Sequence, residues 1–68
     1  MRLFDTISKS EKSRRIHKIF RFYYLNPSQE ALALYDQYHA HKSEALIDQL
    51  RQLILEETES QEIHTLLD

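Results

Sequence analysis

The sequence predicts an all-α protein, an antiparallel helical hairpin with a long second helix, and three observations carry that prediction. The 68 residues include no glycine and a single proline, Pro27, whereas hairpin strands need Gly or Asn-Gly turns. Apolar residues recur at helical spacing: Ile16, Ile19, Phe20 and Tyr23 stand at i, i+3, i+4 and i+7, one face of an amphipathic helix. Asn26-Pro27-Ser28-Gln29 is the one sharp punctuation, and so short a link joins antiparallel neighbours.

Residues 1–7 contain Leu3, Phe4 and Ile7 without a period; they either pack back on the core or add a short turn. Ser8-Lys9-Ser10-Glu11 matches the capping box, in which the serine hydroxyl and the Glu side chain each satisfy an orphan backbone N–H. The first helix is therefore expected over about 8–25, ending before Pro27 because proline disfavours α conformation in the preceding residue. Asn26 can cap the next helix, with Pro27 in its first position. Ala31, Leu32, Leu34, Tyr35 and Tyr38 mark that helix; after His39–Ser43 the pattern resumes with Leu46, Ile47, Leu50, Leu53, Ile54 and Leu55. No Gly or Pro interrupts 28–57, which favours one continuous helix over 27–57, about 46 Å long. The alternative is a three-helix bundle with a turn near 40–43 and Ser43 as a cap. In the continuous form the stripe Leu46, Leu50, Leu53 and Ile54 has no partner within the chain, so pairing with a second copy, a homodimer, is expected. Thr58–Gln61 repeats the capping pattern, and Ile63, Leu66 and Leu67 place a short helix over about 59–67. Glu56, Glu57, Glu59 and Glu62 suit the positive end of its dipole.

Length and composition narrow the function. A chain of this size makes one domain, residues 1–68, and buries only about 60% of its extended surface. It has no cysteine, so disulfides cannot staple it, and self-association gains weight. No apolar run approaches the length of a membrane span, and no signal-peptide core follows Met1; a cytoplasmic location is expected. The net charge of −2 conceals an asymmetry: residues 1–25 carry seven Lys/Arg against two acids, while 26–68 carry two against nine. Such a split marks an interaction surface or mutual attraction of the two halves.

Enzymatic readings find no support: the chain lacks a Gly-rich phosphate loop, a cysteine nucleophile and a Ser-His-Asp context. No cofactor or metal is expected. His39 and His41 lie about 200° apart on a helix and cannot ligate one metal ion from one face; a break in the helix there would free them to converge with His17, but solvated or interhelical histidines are the favoured reading. Tyr23, Tyr35 and Tyr38 fit core-edge positions, ring buried and hydroxyl wet. Arg14, Lys18 and Arg21 form a cationic stripe opposite the apolar face, with Arg15 and Phe22 on its flank. An apolar ring among cations suits a contact surface. The expected function is a non-enzymatic regulator or adaptor that docks a larger protein of acidic or mixed surface through Arg14, Arg15, Lys18, Arg21 and Phe22. RNA or DNA binding by the same stripe is the alternative, opposed by nine acids in the second part of the chain.

Overall fold

In the computed structural model, which describes residues 3–68, serine hydroxyls open three of the four α-helices. Helix α1, Lys9–Lys18, begins where the Ser8 hydroxyl accepts from the Glu11 amide at 3.1 Å. Half of the capping box thus forms; the Glu11 carboxylate turns instead to Arg14 and Arg15. Helix α2, Gln29–His41, is capped by Ser28, which accepts from the Ala31 amide at 3.0 Å. The expected cap Asn26 and first-turn Pro27 stay outside the helix. Helix α3, Glu44–Glu57, starts under Ser43, which accepts from the Ala45 amide at 3.2 Å. The short α4 spans Gln61–Leu67.

The continuous 27–57 helix does not form. Lys42 adopts a left-handed conformation, φ 50° and ψ 40°, and its amide closes the last turn of α2 on the Tyr38 carbonyl at 2.6 Å. A β-carbon there costs about 1–2 kcal/mol. The Ser43 cap and burial of the α3 stripe offset that cost. The molecule measures 28 × 28 × 18 Å, too short for a rod of about 46 Å. Its radius of gyration, 10.9 Å, matches about 11 Å for a compact chain of this length.

Helix α3 is the central element, contacting α1, α2 and α4. Its inward stripe is Ile47, Leu50 and Ile54, all 0% exposed, with the largely buried Arg51 beside them. Leu50 and Ile54 therefore serve the core of one chain and are closed to a second copy, while Leu46 and Leu53 are half-buried at its edge. The stripe finds partners in Ile16, Ile19, Ile63 and Leu67. Once the chain doubles back at Lys42, the reason to expect dimerisation through it disappears.

The start of the described chain also joins the core. Leu3–Thr6 forms a 3-10 turn that buries Phe4, whose amide donates to the Asp68 carbonyl at 2.7 Å. Helix α4 has only seven residues, too few to persist alone. Two arginines hold its final carbonyls: Arg15 Nη1 donates to Leu66 O at 3.0 Å, and Arg51 Nε donates to Leu67 O at 2.7 Å. Positive charge at a helix C-terminus is favourable in itself. Arg51 also lies 5.8 Å from the centre of the Phe4 ring.

Candidate functional site

Six of the seven residues Ile19–Leu25 are apolar or aromatic, more than one helical face can bury. The chain resolves this by widening the helix. Residues Ile19–Tyr23 form a π-helical turn, closed by the Tyr24 amide on the Ile19 carbonyl at 2.8 Å. An i→i+5 turn seats residue 24, rather than 23, above residue 19. Tyr24 is accordingly buried, whereas Tyr23 is 38% exposed. The expected inward face Ile16–Ile19–Phe20–Tyr23 thus becomes Ile16–Ile19–Phe20–Tyr24.

The same widening turns Phe22 and Leu25 into water, at 64% and 81% exposure. The residues beside them are packed on α2 and α3. Phe20 stacks on Tyr35 of α2 with ring centres 4.0 Å apart and planes 2° from parallel. The Tyr35 hydroxyl shares a 2.8 Å hydrogen bond with His17 Nδ1, and His39 meets the Tyr35 ring edge-on at 4.4 Å. Behind the loop, the Tyr24 hydroxyl donates to Glu57 at the end of α3, and the Ser28 hydroxyl donates to the same carboxylate at 2.6 Å. Those two donors, Ser28 first, hold Glu57 below the usual carboxylate range. Burial, reinforced by Glu57, pushes the Tyr24 phenol up to about 12. Burial likewise raises Tyr35, with Tyr38 adding and the nearby Arg21 charge opposing.

The five stripe residues separate into different environments. Arg14, exposed, pairs with Glu11 at 2.9 Å. Arg15 is only 26% exposed in its side chain and divides its guanidinium between Glu11 and the Leu66 carbonyl. Its place is in the fold. Arg14, Arg15 and Lys18 line one depression of about 310 Å³ with Glu11 and Leu66. Arg21 stands apart from it, its guanidinium 5.7 Å from the centre of the Phe22 ring. Lys18 and Arg21 make no ion pair among the described residues. Of the five, Arg14, Lys18, Arg21 and Phe22 are exposed, and so is Leu25.

Leu25 and the burial of Arg51 lie outside the reading from periodicity. The apolar excess of Ile19–Leu25 was a usable signal for the first; Arg51 carries none, since its burial depends on where α4 ends. Among the described residues no group of three or more His, Cys, Asp or Glu could hold a metal ion, and no helix is long and apolar enough to cross a membrane. No known family model matches the chain, and neither a curated protein nor a solved structure matches it.

Proposed function

We propose that this chain is a non-enzymatic docking module that binds a larger protein of acidic surface through Arg14, Lys18, Arg21 and Phe22, with Leu25 as a second apolar contact. One observation carries the reading: Phe22 stays 64% exposed beneath the Arg21 guanidinium on a turn anchored at both sides. A side chain already held in its contact geometry loses less entropy on binding. Arginine and aromatic residues are also the types most often found to dominate interface energy. Lys18 and Arg21, which pair with no acid among the described residues, supply the long-range attraction that orients an acidic partner.

The test is capture from a lysate of the source cells by the wild-type chain, Phe22→Ala and Lys18→Glu/Arg21→Glu, each checked for helicity. A protein held by the docking face is lost with both variants. Truncating a central aromatic anchor costs about 2 kcal/mol, or roughly thirtyfold in affinity. Capture of nucleic acid that depends on charge but ignores Phe22 would replace this reading with the polyanion alternative. Capture of the same proteins by all three chains would refute it.

A further inference from the structure

A groove of about 370 Å³ runs between α2 and α3. The half-buried Leu34 and Leu53 form its apolar part, Gln37 and Gln52 offer neutral amides, and the exposed Glu30 and Glu56 add two carboxylates. No basic side chain lines it, and neither carboxylate has a cationic partner among the described residues. This size is at the small end of the range for ligand clefts, about 300–1,000 Å³, and suits one or two side-chain anchors.

We infer that the occupant is a second copy of this chain, with Phe22 and Leu25 of one copy entering the α2–α3 groove of another. Lys18 and Arg21 then face Glu30 and Glu56. The argument is complementarity in two properties at once. One surface presents exposed apolar side chains beside unanswered cations; the other presents an apolar recess beside unanswered carboxylates. The charge asymmetry orients the encounter, since residues 1–25 carry a net +5 and residues 26–68 a net −7. The contact differs from a pairing of α3 stripes, because Leu50 and Ile54 are sealed in the core. It shares its basic tip with the docking reading, so a tip seated in another copy's groove is closed to a partner. A patch built on two apolar anchors and two ion pairs is small, and such interfaces are weak and transient.

Sedimentation velocity of the full chain over a concentration series tests this. Self-association should appear at high protein concentration and weaken about tenfold from about 0.1 M to 1 M salt, as the screening length falls from about 10 Å to about 3 Å. Glu30→Lys/Glu56→Lys should be monomeric, as should Lys18→Glu/Arg21→Glu. Mixing these two variants should restore association, because the reversed tip of one matches the reversed groove of the other; that rescue also shows both are folded. A monomeric wild-type chain, an associating groove variant or a mixture without rescue would each overturn the inference. The groove variant leaves Phe22 and all three docking cations intact, so retained partner capture with lost self-association separates the two readings.

Discussion

Replacing Arg51 by Gln should destabilise the protein far more than removing any cation of the exposed face. Arg51 is 6% exposed and donates from Nε to the Leu67 carbonyl at 2.7 Å. Glutamine is shorter and uncharged, so the carbonyl loses a charged donor and the α4 terminus a cation. A hydrogen bond to a charged group contributes about 1.5–3 kcal/mol, and a cation at a helix end about 0.3–1 kcal/mol. The expected loss is therefore about 2–4 kcal/mol, against a total near 3–10 kcal/mol for a chain of this length. Each kcal/mol shifts the melting temperature of so small a domain by about 4–8 °C, so a fall of roughly 10–30 °C follows. Far-UV circular dichroism against temperature measures it. Arg15→Gln should lose less, about 1 kcal/mol, because its bond to Leu66 is 3.0 Å and its side chain keeps 26% exposure. Arg14→Gln removes only a surface pair with Glu11 and should stay within about 1 kcal/mol of wild type. An Arg51→Gln chain melting within about 2 °C of wild type would show that the carbonyl clamp does not hold α4.

Three further outcomes probe the turn, the core and the ionisable lock. Lys42→Gly should stabilise the chain by about 0.5–1 kcal/mol in urea, since glycine takes the left-handed conformation without a β-carbon clash; a loss of about 1 kcal/mol would instead indicate a helix running through residue 42. Leu50→Glu should abolish the helical signal, because a carboxylate at a 0% exposed position loses hydration without gaining a partner; a folded chain of unchanged helicity would refute the burial. The pH limbs follow from Glu57 and Tyr24. Glu57 is depressed from 4.5, so its contribution is present above that value and is lost as pH falls through the lower folded one. Tyr24 is raised from 10.0 to about 12, so its contribution is complete below pH 10.0 and is lost as pH rises through about 12. Urea midpoints across pH measure both limbs, and a Glu57→Gln chain with an unaltered acid limb would exclude Glu57 as its source.

Local chemistry in the sequence was enough for the helical class, for the start of α1 at Ser8 and for a break in helix at Pro27. Those features depend on neighbours a few residues apart: a hydroxyl reaching an amide three positions on, or a ring barring α conformation behind it. Ser43 was visible as a cap, yet the absence of Gly or Pro argued against the turn beside it. Lys42 can be forced left-handed only because Ile47, Leu50 and Ile54 gain burial when α3 folds back, a gain shared among distant residues. The exposed surface proposed for docking divides in the same way. The outward placement of Arg14, Lys18, Arg21 and Phe22 follows a helical wheel and was legible from spacing. Only tertiary packing withdrew Arg15 to hold Leu66, buried Arg51 against Leu67 and used the π-helical turn to exchange Tyr23 for Tyr24 in the interior. Spacing specifies which residues share a helix face, whereas the position of a carbonyl 51 residues away from Arg15 exists only once the chain has closed.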